Sequence, residues 1–264
     1  MSAKASFDHI YTQPDPRTYF RVLRTLDYCI PQLAKPYFAK LIQERSRGGT
    51  PVRVLDIGCS YGINAALLKC DSTMDELYDR YADARDADVL TLDREFVRRR
   101  TAPAGRVRFT GLDASAEALA YATQAGFLDA TVHADLERQA PTALQSGRLA
   151  GTDLVISTGC VGYVTERTLM RVIEAQGGGR LPWMAHFVLR MFPFAPIAGV
   201  LSRLGYHTTQ VEGVFKQRRF ASAEEQTQVL QSMSTAGVDA HGLEAEGWLH
   251  AQLYVSRPHN EPGA

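Results

Sequence analysis

Three aspartates, Asp56, Asp113 and Asp135, stand at or near the ends of short apolar runs, and the first run leads into Gly58-Cys59-Ser60-Tyr61-Gly62. A carboxylate offers two acceptor oxygens, suited to a vicinal pair of hydroxyls or to an amino group. Glycines in the turn let a ligand approach the backbone, and a helix that follows exposes free N–H groups. Such a turn is the usual seat of a nucleotide, in one of two well-known forms. The dinucleotide fingerprint needs glycine at positions 58, 60 and 63, where this chain has Gly58, Ser60 and Ile63. The phosphate-cradling Gly-Lys-Ser/Thr loop is absent as well.

The elements that must position these residues are legible in the apolar pattern. Val52 to Ile57 is short and rich in β-branched residues, as a buried parallel strand requires. A helix from Ile63 to Lys69 follows the turn. The pattern predicts a second strand from Val107 to Leu112 closing at Asp113, and a helix from Ala116 to Gln124 with Ser115 as its N-cap and Gly126 beyond its end. Strands from Thr131 to Ala134, Asp153 to Ser157 and Ala185 to Arg190 come next, with a helix from about Thr165 to Ala175 between the last two. Strands alternating with helices predict a doubly wound α/β sheet.

The chain reads as one domain over 1–264: a helical cap over 1–50, a core over 51–190 and closing strands over 191–264. Helical spacing of Tyr19, Val22, Leu23, Leu26 and Ile30 marks the cap. Residues 71–104 exceed an ordinary connection and predict an inserted, charge-laced helical segment with a solvated face. The last third predicts a loop from Thr208 to Phe220, a helix from Ala223 to Ser234 and a strand from Trp248 to Ser256.

Composition narrows the function classes. With 264 residues, 45% of them hydrophobic and 22% charged, the chain can bury a sizeable core, which excludes a disordered or fibrous protein. Twenty-nine basic residues balance 29 acidic ones, so there is no long-range pull on phosphate polyanions and nucleic acid is not the expected partner. Cys29, Cys59, Cys70 and Cys160 form no Cys-x-x-Cys pair and no zinc spacing, so no metal site is expected. The N-terminus lacks the apolar core of a signal peptide, and the run from Ala185 to Leu201 is broken by Arg190, Pro193 and Pro196. No membrane partner and a cytoplasmic location are therefore expected, with a small molecule as the partner; the sequence leaves the oligomeric state open.

The turn resembles motif I of the class I S-adenosylmethionine-dependent methyltransferases, hydrophobic–Asp/Glu–x–Gly–x–Gly–x–Gly. Asp56, Gly58, Ser60 and Gly62 hold the matching positions, with Ser60 where the family prefers glycine. Residues 153–164 are similar to the family's fourth motif, and the resemblance spans about residues 50–190. It implies a Rossmann-like, seven-stranded, mostly parallel sheet with the last strand antiparallel, the N-terminal helices being an added cap. It also implies S-adenosyl-L-methionine as cofactor, with Asp113 on the ribose hydroxyls, Asp135 on the adenine amino group and the Leu136 N–H on a ring nitrogen. Asp56, Gly58, Cys59, Ser60, Gly62, Ala114 and Thr158 would complete the cofactor site, with Tyr11 and Tyr19 reaching it from an N-terminal lid. The implied activity is methyl transfer to a small-molecule acceptor such as a secondary metabolite. The same fold and cofactor also serve non-methylating reactions such as a cyclisation, or a non-catalytic cofactor-binding sensor.

On the acceptor side the candidates are Thr158, Cys160 and Tyr163, just past the fourth strand, with His186 and with Arg190, whose fork could hold a substrate carboxylate. His186 would otherwise pack in the core and Arg190 would otherwise form an internal salt bridge. Lys216, Arg218 and Arg219 could meet an anionic substrate but are expected in a solvated loop, and His250 on an exposed edge strand.

Overall fold

The computed structural model describes residues 7–46, 49–84, 88–101 and 107–259. In chain order the elements are α1 (Asp8–Tyr11), α2 (Arg17–Arg24), α3 (Ile30–Arg45), β1 (Val52–Ile57), α4 (Ile63–Lys69), α5 (Met74–Asp83), α6 (Val89–Arg100), β2 (Val107–Asp113), α7 (Ala116–Ala125), β3 (Ala130–His133) and α8 (Ala143–Leu149). They continue with β4 (Leu154–Thr158), α9 (Glu166–Glu174), β5 (Trp183–Leu189), α10 (Ala195–Arg203), β6 (Tyr206–Gln210), β7 (Phe215–Arg219), α11 (Ala223–Thr235), a 3-10 turn (Glu244–Glu246) and β8 (Trp248–Pro258).

The strands form one sheet in the order β3-β2-β1-β4-β5-β8-β6, with β7 also paired to β8. The first five run parallel. β8 is antiparallel to β5, and its far edge takes β6 along its C-terminal half and β7 along its N-terminal half, both antiparallel. β6 and β7 are thus successive segments of one lane. The sheet has seven lanes, six pointing the same way and the last strand of the chain running against them, as the resemblance implied.

Apolar layers cover both faces. One packs Phe38, Ala66, Leu119 and Ala122 against Val54 and Phe109, and the other packs Leu169, Val172, Ile197 and Leu201 against Leu55, Ile57 and Val132. Central strands covered on both sides must be apolar at nearly every position, and five of the six residues of β1 are buried. Ser115 caps α7 by accepting from the Ala118 N–H at 3.1 Å, and Gly126 ends that helix at φ +86°.

Three expectations change. The expected loop over 208–220 is largely strand, β6 and β7, because a bulge between Lys216 and Arg218 breaks the alternation that marks a strand. β8 lies inside the sheet, so His250 is buried. The inserted segment forms α5 and α6, but its charge is not all solvated: Asp93 is fully buried and accepts from Arg80 Nε (2.7 Å) and the hydroxyls of Tyr81 (2.7 Å) and Tyr121 (2.6 Å). Helices α8 and α10 are additions that the apolar pattern did not mark. Residues 1–6 and 47–48 of the expected cap, and residues 85–87 and 102–104 of the insertion, lie outside the described residues. No helix among the described residues is long and apolar enough to cross a membrane.

Candidate active site

The carboxyl ends of β1, β2 and β4 open into a cavity of about 620 Å³, within the roughly 300–1,000 Å³ of small-molecule sites. Open α/β sheets place ligands at this end, where strand order reverses on either side of the first strand.

The floor is the turn after β1. Gly58 has φ +68° and donates its N–H to the Leu112 carbonyl at 2.8 Å, tying the turn to the end of β2. A Cβ at this position would lie 2.8 Å from Cys160 Cβ, so the approach of the loop after β4 demands glycine here. Ser60 adopts φ +50°, a left-handed conformation that glycine takes without strain. It is held there by Asp113, whose Oδ2 accepts the Ser60 N–H at 2.8 Å, while Asp113 Oδ1 accepts the Ser115 N–H at 2.9 Å. Each carboxylate oxygen keeps acceptor capacity beyond its one backbone bond.

Beneath the floor lies Asp56, fully buried and absent from the cavity lining. Burial, aided by the nearby Asp113 charge, pushes its carboxyl up to about 8 against the opposing effect of Asn64. Asn64 Nδ2 donates to both Asp56 oxygens (3.1 and 3.2 Å) and to Thr158 Oγ1 (3.2 Å). Asp56 therefore orients a side chain that lines the cavity rather than reaching a ligand itself.

The roof comes from the N-terminal cap. Tyr61 Oη donates to the carbonyls of Ile10 (3.1 Å) and Gln13 (2.8 Å), and Ser115 Oγ to the carbonyl of Tyr11 (2.6 Å). These bonds fasten α1 and the turn after it over the loops that follow β1 and β2. Tyr11, Tyr19 and Tyr28 bring their rings to the cavity, the Tyr11–Tyr19 and Tyr19–Tyr28 centroids being 5.8 and 6.4 Å apart. Burial raises the phenols of Tyr19 and Tyr28 well above their ordinary range, so both stay protonated.

The remaining wall is β7. Gln217 and Arg218, consecutive residues at the bulge, are both buried and both line the cavity. Arg218 is locked by a bidentate pair with Glu225 (2.9 and 2.6 Å) and stands 5.0 Å over the Phe7 ring. Two backbone bonds, Cys29 N–H to the Gln217 carbonyl (2.9 Å) and Arg219 N–H to the Leu26 carbonyl (2.7 Å), join this strand to the cap.

Of the residues expected to contact a cofactor, Gly58, Cys59, Ser60, Asp113, Ala114, Thr158, Tyr11 and Tyr19 line the cavity. Gly62 does not; it is the left-handed N-cap of α4, with φ +78°. Asp135 and Leu136 do not either. The Asp135 side chain faces its own turn, accepting from the N–H groups of Glu137 (3.0 Å) and Arg138 (3.3 Å), and Leu136 is buried in the apolar layer with Val132. An aspartate after a strand can serve a turn as readily as a ligand, and here it serves the turn.

Among the acceptor-side candidates, Thr158, Cys160 and Tyr163 line the cavity, and His186 and Arg190 do not. His186 is in the core, with Nδ1 2.8 Å from Ser157 Oγ, and burial pushes its imidazole down to about 4, so it stays neutral above that pH. Arg190 forms an internal salt bridge to Glu244 (2.5 Å) and donates to the Asp239 carbonyl (2.6 Å). Arg219 pairs with Asp27 at 2.6 Å and stacks with Lys216 on Trp248. Sequence reasoning missed Asn64, Gln217, Tyr28 and Phe7, and expected Arg218 in a solvated loop where it is buried on the cavity wall. Asn64, in the first turn of the helix after the glycine turn, carried a usable signal; the others reach the cavity through tertiary packing.

Three lining oxygens, Ser60 Oγ, Asn64 Oδ1 and Gln217 Oε1, are buried with no hydrogen-bond partner among the described residues. An unsatisfied buried polar atom costs about 1–3 kcal/mol, so a ligand bearing N–H or O–H donors relieves a penalty in this cavity. Asp113, Ser60 and Asn64 form a donor-seeking set suited to a ligand that carries hydroxyl or amino hydrogens.

No protein-family model matches the sequence, and no curated protein does. Solved structures of similar shape include the plantazolicin methyltransferase BamL, 12% identical, covering 95% of this chain and 96% of that one at a TM-score of 0.49. The magnesium protoporphyrin IX methyltransferase of Synechocystis PCC 6803 is 12% identical and covers 86% of this chain and 79% of that one at 0.43. The [4+2]-cyclase SpnF is 12% identical and covers 84% and 80% at 0.41. These are likenesses of shape alone.

Proposed function

We propose that this chain transfers the methyl group of S-adenosylmethionine to a small-molecule acceptor. One observation carries the reading: the carboxylate at the end of β2, Asp113, is bonded across to the Ser60 N–H of the glycine turn at 2.8 Å, with both residues on the cavity wall. A strand-end carboxylate on a glycine turn is the arrangement that a ribose diol requires. Asn64 and Ser60 supply unpartnered oxygens for an ammonium group. The cofactor, when bound, supplies a methyl group already activated by positive sulfur. The chain's own part is then to hold donor and acceptor in line and keep water out, a role worth several kcal/mol by positioning alone. The roof fastened by Tyr61 and Ser115 serves that exclusion. Among the described lining residues there is no histidine, and the lining phenols of Tyr19 and Tyr28 are held protonated by burial. The single-domain organisation over 1–264 and a cytoplasmic location belong to the same proposal.

Calorimetric titration with S-adenosylhomocysteine tests it. Binding to the wild-type chain is expected, with a loss of about 100-fold in Asp113→Ala, since hydrogen bonds to a charged group contribute about 1.5–3 kcal/mol each. Failure of the wild-type chain to bind refutes the reading.

A further inference from the structure

The bulge in β7 does something the cofactor half of the cavity does not need. In a regular strand, consecutive side chains point to opposite faces. Here Gln217 and Arg218 are both about 2% exposed and both line the cavity, because the register shifts between Lys216 and Arg218. A bulge beside a site re-aims a side chain, and the one re-aimed is a carboxamide. Gln217 Nε2 lies only 2.2 Å from where a Cβ on Gly159 would stand, so the missing side chain at Gly159 (φ +82°) makes its room. Gly159 follows β4, on the opposite side of the β1 turn from Asp113. Gln217 Oε1 is buried with no partner among the described residues. The neighbouring charge is already neutralised, since Glu225 holds Arg218 in a two-point pair.

Resting on the methyl-transfer reading, we propose that Gln217 is the residue that selects the acceptor, and that the acceptor is an uncharged molecule with an aromatic body carrying an O–H or N–H donor. The Gln217 oxygen takes that donor hydrogen bond, while Phe7 and Tyr28 face the body. The Arg218–Glu225 pair leaves no net positive charge to favour a carboxylate. A buried acceptor oxygen discriminates sharply, because a molecule without the donor leaves it unpaired.

Phenol, anisole and benzoate make the comparison: one aromatic body with a donor, with the donor methylated, and with an anion. Their binding is measured by calorimetry or ligand-observed NMR on the full chain saturated with S-adenosylhomocysteine. Phenol is expected to bind on the order of tenfold more tightly than either of the others. Gln217→Met, which keeps the volume, is expected to bring phenol and anisole level while S-adenosylhomocysteine affinity stays within about twofold. Gln217→Asn, one methylene shorter, withdraws the oxygen and gives the same levelling, which covers the case in which the methionine variant does not fold. A phenol preference that survives both variants, benzoate binding more tightly than phenol, no phenol binding at millimolar concentration, or an equal loss of S-adenosylhomocysteine affinity each overturns the assignment. If the wild-type chain fails to bind S-adenosylhomocysteine, the methyl-transfer reading falls by itself. The phenol–anisole comparison on the ligand-free chain then still decides the role of Gln217.

Discussion

Replacing Asp56 with asparagine is expected to remove a pH dependence built into the floor of the cavity. In the folded chain this carboxyl is fully buried and titrates near 8; in the unfolded chain it returns to its ordinary value of 3.8. Between those values the folded state keeps a proton that the unfolded state has released. Stability therefore falls as pH rises through this window and levels off above about 8. At 1.36 kcal/mol per pH unit, moving from about pH 5 to about pH 8 costs the wild-type chain about 4 kcal/mol through this one group. Asparagine has the same shape, does not titrate, and still presents an oxygen to Asn64 Nδ2, which lies 3.1 Å from Asp56 Oδ1. The variant is thus expected to gain about 4 kcal/mol on the wild type between those two pH values, whatever its difference at the acidic end. Urea unfolding of both proteins at the two pH values measures this directly, the change in the difference between them being the quantity of interest. Stability curves that run parallel from acid to alkaline pH would refute the reasoning, because they would mean that Asp56 is ionised in the fold or releases its proton at an unshifted value.

Three further outcomes follow from the same geometry. Gly58→Ala combines a left-handed φ with a Cβ contact of 2.8 Å to Cys160 Cβ, and a melting experiment is expected to show a loss of about 2 kcal/mol. Part of that loss should return in the Cys160→Gly background but none in Cys160→Ala, which keeps the offending atom. Glu225→Gln leaves the buried Arg218 without its charge partner and is expected to cost about 3–5 kcal/mol by urea unfolding, more than the paired replacement Arg218→Met/Glu225→Leu. Tyr61→Phe removes the hydroxyl that grips the carbonyls of Ile10 and Gln13. It is expected to speed S-adenosylhomocysteine dissociation in stopped flow about fivefold, in line with about 1 kcal/mol for hydrogen bonds lost from the roof.

How much of this was legible beforehand depends on whether the signal was local. The β1–turn–α4 unit was, because a buried parallel strand is a run of apolar residues and a turn of positive φ favours glycine, as at Gly58 and Gly62, both readable from adjacent positions. Helix α4 begins and ends where its residues predict, Ile63 to Lys69. Asp113 was legible as a strand-end carboxylate, and its pairing with the turn follows from β1 and β2 being neighbours in register, Ile57 opposite Leu112. Asp135 has the same local signature but lies two residues past the end of β3 at His133, and its carboxyl accepts the N–H groups of its own turn.

What the chain's linear order determined was the doubly wound architecture, the glycine turn and the acidic tip of β2, each dictated by side-chain period or by steric limits on φ. What only the folded state decided was the far wall. Gln217 and Arg218 lie 157 and more residues from Asp56 to Ser60 in sequence, and they reach the cavity because β8 threads between β5 and the β6–β7 lane and a bulge turns them inward. A bulge erases the period-two pattern from which a strand is read, and whether an arginine is solvated or paired depends on a glutamate placed opposite it by packing. Those are properties of contact between distant segments, which no local pattern carries.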